Sequence, residues 1–307
     1  MALRHLLLPF GQAHAPRTVI EGIGPEMTQM KSEQIIIEPV RGWQVINWRE
    51  LRDYRDLFRF LVDRDIKVLY KQTVLGFGWA ILRPVLSMVI FTIIFGNLAQ
   101  VDSDGVPYAI FSYVALVPWL YFSTALSASA LSLVNNTEML TKIYFPRLTF
   151  PMTPVFSKLV DFAISFIIVF VLMAWFRIMP TARVLYLPLL ILLMMLTAAG
   201  MGLWFAAMSV QYRDVKHAMP FLTQILMYAA PVVWAGSLIT ERFGEVGRIL
   251  FGLYPMVGVI EGFRSALLDS GPMPWDMIAV GTVSALVIFI TGLFYFRRME
   301  ATFADVA

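Results

Sequence analysis

Long uncharged stretches recur along the chain at the length a bilayer demands. Trp79–Leu98 carries a single charge, Arg83, near its start, while Gly105–Thr137, Val184–Tyr212, Ala218–Thr240 and Met277–Phe296 carry none. About 20 helical residues cross roughly 30 Å of hydrocarbon, so each of these runs suffices alone. Phe162–Phe176 is also uncharged and reaches spanning length when extended back by a turn, past Asp161 and Lys158. The pattern predicts an all-α integral membrane protein with six transmembrane helices. One further apolar run, Ile249–Ile260, is shorter and contains Gly252, Pro255 and Gly258. It reads as a short re-entrant or interfacial helix between the fifth and sixth spans.

A different periodicity precedes the first span, in LRDYRDLFRFLVDRDIKVLYKQ. Leu51, Tyr54, Leu57, Phe58, Leu61, Val62, Ile66 and Leu69 recur at helical spacing. The opposite face holds Arg52, Asp53, Arg55, Asp56, Arg59, Asp63, Arg64 and Lys67. This amphipathic helix, over residues 49–72, suits the membrane interface, with its basic face toward headgroups and water. The spacing predicts i,i+4 ion pairs Arg52/Asp56, Arg59/Asp63 and Asp63/Lys67. Gly76 and Gly78 then allow a sharp turn into the first span. Residues 1–48 form an amino-terminal extension, partly disordered in this reading, and 299–307 a short tail.

Composition agrees with the pattern: 59% of residues are hydrophobic, 15% are charged, and mean hydropathy is +0.72. Soluble domains carry about a quarter charged residues. The net charge of +3 does not argue for nucleic acid, because the basic residues lie beside apolar spans where topology accounts for them. Twelve Lys and Arg fall within residues 1–83, and further basic residues follow the second, fourth and last spans: Lys142, Arg147 and Lys158, then Arg213 and Lys216, then Arg297 and Arg298. The positive-inside rule therefore predicts both termini in the cytoplasm. Arg177, Arg183, Arg242, Arg248 and Arg264 fall on the other side, so the bias is clear without being absolute. With no cysteine in the chain, disulfides and thiolate metal sites are excluded.

Between the second and third spans lies NNTEMLTKIYFPRLTFPMTPVFSK, residues 135–158. Asn135, Asn136 and Thr137 offer capping chemistry, and Glu138 suits the positive end of a short helix. Met139, Leu140, Ile143, Tyr144 and Phe145 can form an apolar surface beside Lys142 and Arg147. Pro146 should end that helix, and Pro151 and Pro154 should delay the next one. A short rigid cytoplasmic helix with an apolar tip is a docking surface, with a well-folded loop as the plainer alternative.

These segments carry a family resemblance. DRDIKVLYKQTVLGFGWAILRPVL, DGVPYAIFSYVALVPW, TKIYFPRL, VQYRDVKHAMPFL and YPMVGVIEGFRSALL resemble, in order and spacing, the ABC-2 type permeases that export polysaccharides. The resemblance covers about residues 35–300 and implies an interface helix, a coupling helix after the second span and re-entrant helices on the outer side. It implies that Thr141, Lys142, Ile143, Tyr144, Phe145, Pro146 and Arg147 meet a separate ATP-binding subunit. The interface helix, with Tyr54, Arg55, Phe58, Arg59, Arg64 and Lys67, would clasp the same subunit. Leu75 and Gly76 would lie in the loop near which a lipid-linked head group comes in. Tyr212–His217 would be the cytoplasmic turn between the fourth and fifth spans, and Tyr254–Arg264 the outer gate region. Implied partners are a second copy of the chain, two ATP-binding subunits, membrane lipid and a polyprenyl-pyrophosphate-linked polysaccharide. The implied location is the bacterial inner membrane.

No G-x-x-x-x-G-K-[ST] and no H-E-x-x-H occurs, so the sequence predicts neither ATP hydrolysis nor a metal site on this chain. ATP and Mg would be bound by the partner, leaving this chain without cofactor or catalytic residues. A membrane glycosyl- or acyltransferase is the enzyme alternative, with Asp161 and Glu261 as its candidate carboxylates. Glu261 and Arg264 sit at i,i+3, which favours a local ion pair over catalysis. A secondary transporter would place coupling carboxylates in its spans, and the second, fourth and sixth have none. Export of a drug or small lipid is the remaining alternative. For a glycan, Tyr108, Tyr113, Trp119, Tyr121, Phe122 and Tyr228 are candidate conduit aromatics, each equally compatible with core packing or an interfacial belt.

Overall fold

The computed structural model describes residues 52–71, 75–142 and 146–300, without the side chains of residues 69, 70 and 140–142. The amino-terminal extension, Leu51, and Ile143, Tyr144 and Phe145 lie outside the described residues, as does the tail from residue 301. The described residues are helical, with no strand.

We number the helices α1 (Arg55–Lys71), α2 (Gly78–Phe91), α3 (Tyr108–Ala130), α4 (Ser132–Asn135), α5 (Thr137–Lys142), α6 (Thr149–Trp175), α7 (Leu187–Gln211), α8 (Asp214–Ala229), α9 (Ser237–Gly252), α10 (Pro255–Leu268) and α11 (Trp275–Glu300). A π-helical turn, Thr92–Leu98, extends α2, and a 3-10 turn, Ala182–Tyr186, leads into α7. Five helical segments are long and apolar enough to cross a membrane: Gly78–Leu98, Tyr108–Ala130, Thr149–Trp175, Ala182–Gln211 and Trp275–Glu300. A sixth is reached when α9 and α10, bent by 111° at their junction, count as one broken crossing.

α3 is the hub. It is uncharged and apolar on all sides, and most of it is buried inside the protein, whereas Gly78–Leu98 is almost wholly uncovered. Hydropathy alone does not separate these two environments, because lipid and protein interior are equally apolar. Three hydrogen bonds attach α3 to α6: Tyr113 Oη to Ser165 O at 3.1 Å, Tyr121 Oη to Val155 O at 2.7 Å, and Ser129 Oγ to Pro151 O at 2.7 Å. α7 and α11 approach at paired glycines. A Cβ on Gly292 would lie 2.7 Å from Gly200 O, and one on Gly200 would lie 2.8 Å from Phe289 N. Small residues let membrane helices meet backbone to backbone.

Two sequence expectations are corrected here. α6 begins at Thr149 and includes Pro151 and Pro154. Pro151 occupies the first turn, where amide hydrogens lack helical partners anyway, and Pro154 forfeits one bond close behind it. The third span therefore starts well before Phe162, and Lys158 and Asp161 pair within it at 3.5 Å. The run Ala218–Thr240 is not one helix: α8 has 16 residues and stops at Ala229. Ala230 is extended (φ −91, ψ 151) because Pro231 follows it. The same rule bends the α9–α10 pair, where Tyr254 (ψ 106) precedes Pro255 at the start of α10.

Candidate functional site

Ala230–Gly236 leaves helical hydrogen bonding in the middle of an apolar run, and its backbone groups need partners that lipid cannot supply. Three side chains supply them. Tyr108 Oη donates to Val233 O at 2.7 Å. Arg264 donates to Val232 O at 3.0 Å and to Trp234 O at 3.1 Å. Glu261 Oε1 accepts from Gly236 N at 3.2 Å and from Arg264 at 2.8 Å. Arg264 has no exposed surface. Just beyond, Ser237 Oγ donates to Asp104 Oδ1 at 2.8 Å. The i,i+3 pair expected from the sequence forms, and its larger job is to hold a broken segment. A buried arginine suits this because its five donors address several acceptors from fixed directions.

Two ion pairs brace the same end of the molecule. Arg248 pairs with Asp276 at 2.6 Å, joining α9 to α11. Arg183 pairs with Asp269 at 2.6 Å and donates to Gly271 O at 2.7 Å. A cavity of about 150 Å³ lies among Asp104, Ser237, Thr240, Glu261 and Ser265.

The opposite end of α3, about 33 Å away along 23 residues, carries the second constellation. α1 lays its apolar face on α6: Leu61 is buried, and Phe58 meets Phe156 edge-on at 5.4 Å. Arg64 turns inward and donates to Asn136 Oδ1 at 3.2 Å and Met139 Sδ at 3.5 Å, and it pairs with its neighbour Asp65 at 3.1 Å. α1 is thus tied to the segment that follows α4. Asn136 Nδ2 donates back to Ser132 O at 2.7 Å, and Thr137 Oγ1 to Val134 O at 2.8 Å. Both side chains thus donate to carbonyls that precede α5. The predicted i,i+4 pairs do not form among the described residues. Asp56 instead faces Arg55 at 3.5 Å and Arg59 at 3.8 Å, all well exposed, and such pairs contribute little.

Of the docking candidates, Thr141 and Lys142 end α5, Pro146 is buried, and Arg147 donates to the backbone carbonyl of Glu300 at the end of α11. Ile143, Tyr144 and Phe145, the apolar tip, lie outside the described residues. Tyr54 sits in the turn before α1, where Arg55, Arg59 and Lys67 are exposed. Leu75 is half exposed and Gly76 has a left-handed φ of +48, which favours glycine. Tyr108, Tyr113, Trp119, Tyr121 and Phe122 are buried inside the chain, and the three tyrosine hydroxyls are used by backbone carbonyls. Tyr228 is exposed. Tyr254 has a buried hydroxyl with no hydrogen-bond partner among the described residues.

The sequence profile of the ABC-2 type transporter matches residues 56–268, from the first turn of α1 to the last residue of α10. The chain belongs to the ABC-2 type transporter family. Among curated relatives of this ABC-2 chain, the O-antigen export system permease protein RfbA of Myxococcus xanthus is 27% identical over 253 residues, covering 82% of this chain and 96% of that protein. RfbA of Klebsiella pneumoniae is 23% identical over 252 residues, covering 82% and 95%. The polysialic acid transport protein KpsM of Escherichia coli is 21% identical over 242 residues, covering 77% and 91%.

The contacts that sequence reasoning missed are long-range. Arg64 to Asn136, and Arg264 to the carbonyls at 232 and 234, join residues with no periodic relation. The available signal was chemical: an arginine inside an apolar run defaults to a specific partner.

Proposed function

We propose that this chain is the transmembrane permease subunit of an ATP-driven exporter that moves a lipid-linked, O-antigen-like polysaccharide out of the cytoplasm. The observation that carries the reading is its similarity to a permease so named over 82% of this chain and 96% of that protein, beside a family match that runs from α1 to the end of α10. The lipid tail of such a cargo is at home in the bilayer, whereas its charged head and sugars are costly to bury. A protein-lined path must replace their hydration.

In this reading the chain works as a homodimer in the bacterial inner membrane, with both termini cytoplasmic and the conduit at the two-fold interface. Residues 49–72 form the interface helix and 79–298 the transmembrane domain. Two copies of a separate ATP-binding subunit hold ATP and Mg and dock on Thr141–Arg147 and on the exposed face of α1. Leu75 and Gly76 lie where the head group comes in. Tyr254, Glu261 and Arg264 belong to an outer gate, and Tyr228 is the aromatic candidate that faces outward. The α9–α10 pair is re-entrant.

The test is complementation. Expressed with its ATP-binding partner in a strain lacking its own O-antigen permease, the chain should restore surface polysaccharide. Replacing Tyr144 and Phe145 with Asp should abolish export while membrane insertion persists. Export at the wild-type rate from that variant would sink the docking assignment, and restored efflux of a drug instead of polysaccharide would sink the cargo assignment.

A further inference from the structure

α9 is not continuous. Gly244 inside it has φ +65 and ψ −165, a backbone conformation open essentially to glycine alone. The break separates a short first part, residues 237–243, from a remainder that Arg248 fixes to Asp276 of α11. The segment before it, 230–236, is fixed by Tyr108, Glu261 and Arg264. Residues 237–243 thus run between two anchored points, with Gly236 at one end and Gly244 at the other. A Cβ on Gly244 would meet nothing within 4 Å, and residues 241–246 are all exposed. Packing therefore does not restrain that end.

This stretch closes over the cavity of about 150 Å³. Ser237 and Thr240 line it from the stretch itself, and Glu261, Ser265 and Met277 line it from α10 and α11. Ile239 is the one buried side chain that residues 237–243 contribute. Their one side-chain hydrogen bond to another part of the chain, among the described residues, runs from Ser237 Oγ to Asp104 Oδ1 at 2.8 Å. Asp104 is held in a left-handed backbone (φ +53), ahead of Gly105 at φ +75. Such conformations are uncommon outside glycine and collect at clamps and switch regions. The turn is set by Ser103 Oγ donating to Val106 O at 2.6 Å and by Asp104 N donating to Asp102 Oδ1 at 3.2 Å. It presents the carboxylate to Ser237 ready-made.

We propose that residues 237–243 form a hinged strap over this polar cavity and that the Asp104–Ser237 hydrogen bond latches it shut. Losing that bond and the seat of Ile239 lets the strap pivot on Gly236 and Gly244. Glu261 and Ser265 then become accessible, while Tyr108 and Arg264 keep the segment behind the strap in place. The strap stands on the geometry alone. Its part in transport, opening in each cycle, rests on the export reading.

The experiment is thiol labelling of the purified full-length chain, which has no cysteine of its own. Ser265→Cys places a reporter in the cavity, where the native residue is 3% exposed, and its reaction with a polar maleimide is timed. Ser237→Ala should speed the labelling about tenfold, the shift expected when a hydrogen bond to a charged group is lost. Asp104→Ala should match it, whereas Asp104→Asn keeps an acceptor and should label close to the parent rate. Gly244→Ala, which cannot hold the closed backbone, should label faster too. Ala130→Cys, buried at the other end of α3, reports general loosening and should stay unreactive in every background. Labelling of Ser265→Cys that Ser237→Ala leaves unchanged overturns the strap, as does a rise shared by Ala130→Cys. In the complementation assay, Asp104→Cys/Ser237→Cys joined by a short bis-methanethiosulfonate should export nothing until the bridge is reduced. Full export from the bridged chain overturns the strap's place in the cycle. A strap that opens as described in a chain that restores no surface polysaccharide leaves the inference standing and sinks the export reading instead.

Discussion

The guanidinium of Arg264 sits over the ring of Phe111, with its central carbon 3.5 Å from the ring centroid, at a position with no exposed surface. α10 thereby reaches across to the first turn of the hub helix α3, and the same guanidinium holds Glu261 and two carbonyls of the irregular segment after α8. A cation over a ring out of water is attracted by its quadrupole. Every face of this arginine is therefore occupied.

Removing it should be severe. Arg264→Met leaves Glu261 as a buried carboxylate without its cation and two carbonyls without donors, a loss of about 3–5 kcal/mol. Arg264→Lys should not rescue, because one ammonium cannot reproduce a fork that addresses four acceptors, Phe111 O among them. Thermal unfolding in detergent checks both. A lysine variant with the wild-type Tm would show that charge alone, not geometry, holds the segment.

The glycine contact between α7 and α11 gives a cleaner stability test. A methyl on Gly292 would meet the Gly200 carbonyl and the Trp204 ring at under 3 Å. Gly292→Ala should cost about 1–3 kcal/mol, because backbone atoms cannot rotate aside. Gly271→Ala, where a Cβ meets nothing within 4 Å, should stay near the wild-type Tm. Equal Tm values for the two variants would contradict the packing.

Several elements were legible in the sequence because each rests on local rules. The charge-free run that became α3, the amphipathic face of α1 and the Glu261/Arg264 pair follow from periodicity and spacing alone. The apolar run Ile249–Ile260 is largely helical but straddles the bend at Tyr254, so its bounds differ from those of α10. What escaped was decided by tertiary contact. Ala218–Thr240 looks continuous, yet Pro231 breaks it, and the freed backbone groups are satisfied from far along the chain, by Tyr108, Glu261 and Arg264. Similarly, apolar composition cannot tell buried Trp119 from exposed Tyr228, since lipid and core select the same residues.

Tyr254 offers a prediction of opposite sign. Its ring packs near Phe122, with centroids 6.4 Å apart, while its hydroxyl is buried without a partner among the described residues. A buried hydroxyl without a hydrogen bond costs about 1–3 kcal/mol. Tyr254→Phe should therefore hold or raise the Tm. A clear fall would mean that the hydroxyl is bonded in the folded protein in solution.

The clasp between α1 and the segment after α4 can be measured as a coupling. Arg64 and Asn136 meet at 3.2 Å, part-buried, while Asn136 also bonds Ser132 O and Arg64 also touches Asp65. Single substitutions to Ala therefore mix several losses, and only a double-mutant cycle isolates the shared bond. The cycle should give about 1 kcal/mol, the net worth of a hydrogen bond with one charged partner that remains partly solvated. If α1 and the docking segment move as one body, each single variant should also reduce export per ATP hydrolysed, and the double variant should reduce it no further than the worse single. Additive stability losses together with an unchanged export-to-ATP ratio would mean that the contact is incidental and that the two elements respond to the partner independently.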